Sequence, residues 1–156
     1  MMQSIVRWYV AKIKPRTEKK IKKYLDSAGV ENFYLLQMPD TIFVRADKET
    51  LLSLPKASGL NMDFQYNPAI HQLQTVSDKQ MADFIFLQNH SGDLIVLPEP
   101  EKLIGGEKVK VIGGEFAGIE GEIYRIKGHK RVVVRLADCG AVALGNYIAK
   151  ENLERI

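Results

Sequence analysis

EKVKVIGGEFAGIEGEIYRIKGHKRVVVRL, residues 107–136, is the stretch that decides the fold of this chain. Apolar and polar residues alternate in three short runs of it, and a fourth run follows at 141–145. Alternation at period 2 is typical of strands with one buried face. Turns are expected at Gly113-Gly114, at 127–130 and at Cys139-Gly140. Short strands at even spacing, without a helix between them, predict a small closed antiparallel β-barrel.

The glycine-rich centre of this stretch, GGEFAGIEG (113–121), has two possible interpretations. A phosphate-binding loop needs glycines that lead into a helix N-terminus, where free backbone N–H groups and the helix dipole meet the anion. Here Gly121 leads instead into the alternating run EIYRI. We therefore interpret the stretch as a connection between two strands, and we expect it to hold no nucleotide.

A boundary is expected in HSGDLIVLPEPEKLIGG, residues 90–106, which is rich in glycine and proline and lacks periodicity. It divides the chain into an N-terminal domain (1–90), a linker (91–106) and a C-terminal domain (107–156). The apolar run LIVL at 94–97 predicts that part of the linker packs as a short strand.

Strand and helix patterns alternate before this boundary. The helix that follows Thr17 is expected to end at Gly29 and to bury Ile21 and Leu25. Asp47 is expected to cap a second helix. The complete prediction has strands at 5–13, 32–37, 41–46, 62–66 and 70–76, and helices at 17–28, 47–54 and 77–89. This order indicates an α+β fold, in which a sheet is covered by helices.

Composition and motifs exclude several classes of function. The chain is 46% hydrophobic and 26% charged, as soluble globular proteins are. It has no apolar run long enough to span a membrane and no signal-peptide pattern, and its one cysteine, Cys139, cannot form an internal disulfide. A cytoplasmic protein is expected. Its histidines are isolated and its carboxylates are scattered, so we expect no enzyme activity, no metal and no cofactor.

Positive charge is concentrated at the start of the chain. Residues 1–23 have eight basic side chains and one acid, Glu18, although the whole chain has a net charge of only +3. Lys19, Lys20, Lys22 and Lys23 surround the helix side opposite Ile21 and Leu25, and Lys12 and Lys14 precede them. A solvated helix would normally intersperse acids among its lysines. The pattern therefore favours a surface that contacts a nucleic-acid backbone.

The first strand has apolar side chains on both faces. Trp8 and Val10 point to one side, and Tyr9, Ala11 and Ile13 point to the other. Helices that cover both sides would explain this pattern. A binding surface on one side is the alternative, because exposed apolar patches mark partner sites.

Four segments together resemble the NusG family of transcription elongation factors, which combine an N-terminal NGN domain with a KOW domain. WYVAKIKPRTEKKIKKYL resembles its opening strand and basic helix, and MPDTIFVRAD its next long strand. TVSDKQMADFI is similar to its third helix, and the stretch 107–136 to a KOW motif. The resemblance covers nearly the whole chain in the family's order. TVSDKQMADFI further resembles the specialised UpxY-type antiterminators of surface-polysaccharide operons.

The resemblance implies a protein that binds RNA polymerase, at the clamp helices of its largest subunit, and that promotes processive transcription. By position, the polymerase-binding residues would be Tyr9, Tyr34, Met38, Thr41 and Phe43. The residues toward DNA or nascent RNA would be Lys12, Lys14, Arg16, Lys19, Lys20 and Lys23. The KOW glycines would be Gly114, Gly118 and Gly121, and a ribosomal protein or a termination factor would bind the KOW domain. No membrane is involved.

The chain also departs from the family pattern. Met38, Asp40 and Thr41 replace a phenylalanine, a glycine and an aromatic residue, and a basic insertion common after Gln37 is missing. Valine and isoleucine at alternating positions favour a stable KOW barrel over the helical, autoinhibitory form of the RfaH type. The alternative to a polymerase-binding factor is a KOW-type RNA- or ribosome-binding protein without polymerase contact.

Overall fold

The computed structural model describes residues 5–34, 38, 40–90, 93–97, 99–136 and 140–156. Cys139 of the predicted turn Cys139-Gly140, and residues 35–37 of the strand predicted at 32–37, lie outside these residues. The chain forms two compact units, of which the first ends at Asp78 and the second begins at Lys79. The division into 1–90, 91–106 and 107–156 stays a prediction, and the third helix falls in the second unit.

The first unit is a twisted antiparallel sheet with two helices. Its strands are β1 (Val6–Lys12), β2 (Glu31–Phe33), β3 (Thr41–Asp47), β4 (Asp63–Phe64), β5 (Tyr66–Asn67), β6 (Gln72–Leu73) and β7 (Thr75–Val76), and its helices are α1 (Glu18–Ser27) and α2 (Lys48–Ser58). The sheet order is β2-β3-β1-β4, β7 also pairs with β1, and β5 and β6 form a separate ladder. β1 is central because it pairs along both of its edges.

The core of the first unit lies on one face of this sheet. Strand register places Tyr9 opposite Val44 and Ala11 opposite Ile42, so these four side chains share a face. They form one buried cluster with Ile21 and Leu25 of α1 and with Leu51 and Leu54 of α2. The predicted apolar face of α1 is therefore confirmed, and it is the face that packs on the sheet.

The predicted cap of α2 is formed by Asp47. Its Oδ2 accepts a hydrogen bond from the Thr50 backbone N–H at 3.0 Å, and its Oδ1 accepts one from the Thr50 hydroxyl at 2.6 Å. These bonds to Thr50 lower the pKa of the Asp47 carboxyl. The cap fixes the point at which β3 becomes a helix.

The second unit consists of one helix and a six-stranded antiparallel sheet. The helix is α3 (Asp78–His90), and the strands are β8 (Leu94–Leu97), β9 (Glu107–Val111), β10 (Glu120–Ile126), β11 (His129–Arg135), β12 (Ala141–Leu144) and β13 (Leu153–Arg155). Their order is β13-β9-β10-β11-β12-β8. The α+β class is confirmed. Among the described residues β13 does not pair with β8, so the predicted closure of the barrel is not observed.

The sixth strand of this sheet, β8, comes from the predicted linker. LIVL pairs with the whole of β12, from Leu97 opposite Ala141 to Leu94 opposite Leu144. Ile95 and Leu97 pack on the buried cluster of Val133, Ala141 and Ala143. The predicted linker strand therefore covers an edge of the sheet that would otherwise be open.

α3 is attached to the loop between β9 and β10. Lys79 Nζ lies 2.6 Å from Asp83 Oδ1 and donates to the Gly118 carbonyl at 2.6 Å. Asp83, whose side chain is almost fully buried, accepts the Glu120 backbone N–H at 3.2 Å. A buried carboxylate needs such partners to offset its desolvation.

Arg135 joins the 3-10 turn at 100–102 to the sheet. Its guanidinium donates to the carboxylate of Glu122 and to the Pro100 and Leu103 carbonyls, and it contacts the Tyr124 hydroxyl at 3.1 Å. The hydrogen bond with Glu122 raises the pKa of Arg135 above its ordinary value. These contacts of Arg135 hold Pro100 and Leu103, near the end of the predicted linker, against β10 and β11.

Gly121 permits β10 to approach β11 closely. A Cβ at this position would lie 2.5 Å from the Val133 carbonyl oxygen and 2.9 Å from Val132 Cγ1. The obstacle is backbone, which cannot rotate away as a side chain can. Only glycine therefore fits here without a shift of one strand.

Gly121→Ala is expected to lower the unfolding free energy of the second unit by about 1–3 kcal/mol, the usual cost of overpacking. Urea unfolding, together with hydrogen exchange of the β10 and β11 amides, measures this loss. Glu120→Ala, one residue earlier in the same strand, adds no atoms and should stay within about 0.5 kcal/mol of the parent. Equal protection in both variants would contradict the close approach.

Candidate functional site

The basic side of α1 is exposed, as the sequence predicts. Ile21 and Leu25 are buried, and Lys19, Lys20 and Lys23 lie on the opposite side of the helix. Within the described part of the chain these three side chains make no hydrogen bond and no ion pair. Three ammonium groups on one exposed helix side therefore stay available to an anion.

Two further cations precede α1 in an exposed turn. Thr17 Oγ1 donates to the Lys14 carbonyl at 2.5 Å and thereby closes the turn that contains Arg16. Arg16 has a φ of 75°, a left-handed conformation that is uncommon for a residue with a side chain. Such conformations are often found at functional sites. Lys14 and Arg16 therefore come shortly before the lysines of α1 in the sequence.

Lys12 differs from the other five predicted cations. Its Nζ lies 3.6 Å from Asp40 Oδ2 and donates to Thr41 Oγ1 at 3.1 Å, across the β1–β3 pair. Asp40 therefore offsets its charge, and Thr41 restricts its geometry. The structure assigns Lys12 to the sheet more than to the exposed basic side.

Lys22 is also occupied by contacts within the unit. Its Nζ lies 3.4 Å from Asp26 and donates to Asn32 at 3.1 Å. Asn32 in turn donates to Asp26 Oδ1 at 2.8 Å, and this bond, followed by the charge of Lys22, lowers the pKa of Asp26. Between residues 13 and 23, the cations without an ion pair among the described residues are Lys14, Arg16, Lys19, Lys20 and Lys23, and we call these five the basic face.

The five residues predicted to bind polymerase do not share one face of the sheet. Tyr9 belongs to the core under the helices, and Tyr34 packs against that core. Phe43 points to the opposite face, because it pairs with Val10 rather than with Tyr9. Phe43 and Thr41 are 0% exposed, and Met38 and Tyr9 are 7% exposed.

The three predicted KOW glycines lie in and after the loop between β9 and β10. Gly114 and Gly118 have φ values of 83° and 100°, which favour glycine, and Gly121 is the close contact described above. The loop is closed by the bond from the Gly118 N–H to the Val111 carbonyl, at 2.7 Å. It leads into a strand, so its backbone N–H groups do not form a helix N-terminus.

A second basic surface was missed by the sequence analysis. The hairpin of β10 and β11 carries Arg125, Lys127, His129, Lys130 and Arg131 within residues 125–131, without an acid. A charge count over seven-residue windows would have found it. A count over the whole C-terminal segment averages it against acids that lie elsewhere.

Two features relevant to function are absent from the described residues. They contain no group of three or more histidine, cysteine or acidic side chains placed to hold a metal ion. None of their helices has both the length and the apolar character needed to cross a membrane.

Comparisons with known proteins find similarity at the level of the fold. No family model matches the chain, and no curated protein matches it significantly. A solved structure on the domain interaction in Thermotoga maritima NusG matches with 18% identity and a TM-score of 0.50, and covers 97% of this chain and 98% of that chain. The MjSpt4:Spt5 complex matches with 14% identity over 96% of this chain and 97% of that chain, but its TM-score of 0.37 is too low to show a shared fold. The chain therefore has a NusG-like fold over nearly its whole length.

The assignment of Lys12 to the sheet can be tested with a double-mutant cycle. Lys12→Met and Asp40→Asn should show a coupling of about 0.2–1 kcal/mol, typical of a solvent-accessible ion pair. Lys20→Met and Asp40→Asn should show none. Unfolding is followed by the fluorescence of Trp8, the single tryptophan, which is buried in β1. Equal coupling energies in the two cycles would contradict this assignment, and Lys12 would then be grouped with the cations of the basic face.

Proposed function

We propose that this protein is a non-catalytic transcription elongation and antitermination factor that binds RNA polymerase. The observation that carries the proposal is the NusG-like fold, which extends over nearly the full length of both chains. The sequence segments that resemble the family also fall on β1 and α1, on β3, on α3 and on β9 to β11, in the family's order.

In this function the first unit contacts the polymerase and the nucleic acid beside it. The basic face supplies five exposed cations, which attract phosphates without reading sequence. A protein that lies across the DNA cleft needs this kind of contact, because its position changes with every nucleotide added.

The docking site for the clamp helices is proposed on the sheet, at Phe43, Thr41 and Met38, with Tyr9 and Tyr34 supporting it from the core. These residues are mostly buried in the chain. Docking therefore requires a state in which the face carrying Phe43 becomes accessible. Polymerase would bind that state preferentially and thereby shift the population toward it.

The finer assignments belong to the same proposal. The resemblance of TVSDKQMADFI to UpxY-type antiterminators supports a role at surface-polysaccharide operons. A ribosomal protein or a termination factor is the proposed partner of the C-terminal sheet, and the cytoplasm is the proposed compartment.

The test is transcription by the core RNA polymerase of the source organism on a template with a defined pause and terminator. The full chain should increase terminator readthrough and should co-elute with polymerase in the absence of nucleic acid. Saturating protein that neither co-elutes nor changes readthrough would refute the proposal. Binding to free RNA or to ribosomes alone would support the alternative function.

Charge reversal tests the basic face separately. Lys20→Glu with Lys23→Glu should weaken binding to duplex DNA and lower the slope of log K against log salt by about 1 to 2, since each phosphate contact contributes about 0.9. Lys48→Glu with Lys56→Glu makes the same change of charge on exposed positions of α2. The proposal predicts that this control pair keeps the parent slope, and an equal loss in both pairs would refute it.

A further inference from the structure

A groove with an aliphatic floor opens in the second unit. It has a volume of about 580 Å³ and lies on β9, β10, β11 and β13, beside the segment 146–150. Strand register places Ile123 opposite Val132 and Gly121 opposite Val109, and opposite residues of antiparallel strands share a face. Gly121 and Ile123 are two residues apart in β10 and therefore face the same way. One face of the sheet thus forms the floor of the groove.

The walls of the groove are aliphatic as well. β13 contributes Leu153, and the segment before it contributes Ile148. Val109 and Val132 are buried, whereas Ile123, Ile148 and Leu153 are partly exposed. None of these five side chains can form a hydrogen bond, and small-molecule pockets are mostly lined by side chains of this kind. The groove therefore suits the apolar body of a ligand.

Two exposed lysines lie at the rim of the groove. Lys130 is two residues before Val132 in β11 and therefore shares its face, and Lys150 lies in the segment before β13. Neither lysine forms an ion pair with a described residue. Glu107 and Arg155 also line the groove, but they pair with each other and contribute little net charge. The two ammonium groups therefore attract an anion to the rim.

Arg131 is held differently from these lysines. It is the neighbour of Lys130 in β11, so its side chain leaves the strand on the opposite face. Its guanidinium donates to the Ile126 and Gly145 carbonyls at 2.9 Å each, and these bonds restrict its position. The lysines that are free to move toward a ligand in the groove are therefore Lys130 and Lys150.

From this arrangement we infer that the groove binds a small amphipathic anion, an aliphatic chain that ends in one carboxylate. The chain lies against Ile123, Ile148 and Leu153, and the carboxylate stays at the rim with Lys130 and Lys150. At the rim the carboxylate keeps part of its water, so its desolvation costs little. A neutral chain would leave the lysines unused, and a sugar phosphate would place hydroxyl groups against side chains that cannot bond to them. The inference does not rest on polymerase binding.

The experiment measures binding of octanoate to the full chain by isothermal titration calorimetry, at concentrations at which octanoate is monomeric. Hexanoate lacks two methylenes and should bind roughly 15-fold more weakly, because each buried methylene contributes a factor of roughly four. Octylammonium has an aliphatic chain of the same length with the opposite charge and should show no measurable binding. In NMR spectra, octanoate should change the amide chemical shifts of Ile123, Ile148 and Leu153.

The charge contacts are tested by a pair of variants with a matched control. Lys130→Gln with Lys150→Gln should weaken octanoate binding roughly 2- to 30-fold, the range for two solvent-accessible charge pairs. Lys108→Gln with Lys127→Gln removes the same charge from exposed lysines that do not line the groove. This control should keep the parent affinity, and an equal loss in both pairs would overturn the role of the rim lysines.

The apolar contact is tested at Ile148. Ile148→Ser removes a wall of the groove and should weaken octanoate binding by a factor of roughly four or more. Ile112→Ser is the control, because Ile112 is 51% exposed and does not line the groove. It should keep the parent affinity. Thermal unfolding identifies any variant that loses its fold, and in that event the shift changes at Ile123 and Leu153 in the parent decide the result.

Four results would overturn the inference. They are an absence of octanoate binding, binding that does not depend on chain length, equal binding of octylammonium, and shift changes confined to residues away from the groove. Binding to vesicles of phosphatidylglycerol without binding of free octanoate would identify a lipid surface as the ligand instead. Because the assay contains no polymerase, its failure leaves the proposed function standing.

Discussion

The close approach of β10 to β11 at Gly121 is the constraint on which the C-terminal sheet depends. β10 is paired on both sides, with β9 over 120–123 and with β11 over 122–126. A side chain at Gly121 would meet the Val133 carbonyl and force the strands apart. Glu122, which pairs with Arg135, and Arg125 of the basic hairpin lie on this same strand, so a displacement of β10 would move both.

Much of this fold could be predicted from the sequence, because the spacing of apolar residues and the capping residues determine where the helices begin and which side they bury. The spacing of Ile21 and Leu25 identified the buried side of α1, and Asp47 identified the start of α2. Which face of the N-terminal sheet packs against the helices could not be predicted. β1 has apolar residues on both faces, and only strand register shows that Tyr9 lies with the helices and Phe43 on the other side. The open order of the C-terminal sheet likewise depends on pairing between distant segments.

The candidate site shows the same limit. Exposed lysines opposite a buried helix stripe follow from periodicity, so Lys19, Lys20 and Lys23 were predictable. The bond of Lys12 to Thr41, 29 residues along the chain, depends on which strands pair and was not. The basic hairpin was readable in seven consecutive residues, but the facing of Arg125 and Lys130 across it depends on the register of β10 and β11. Charge is visible in sequence, whereas the arrangement that makes it selective is tertiary.

The pairing of β8 with β12 also acts as a tether. Only residues 91–93 separate the end of α3 from β8, so the paired linker keeps α3 within reach of the glycine loop. If β8 is released, the tether becomes the whole of 91–106, roughly five times longer. The effective concentration of α3 at the loop then falls roughly tenfold, because it varies as the −3/2 power of tether length. β8, a strand of four residues at the sheet edge, thus determines how firmly α3 is held at the glycine loop, although the bonds between α3 and that loop involve no residue of β8.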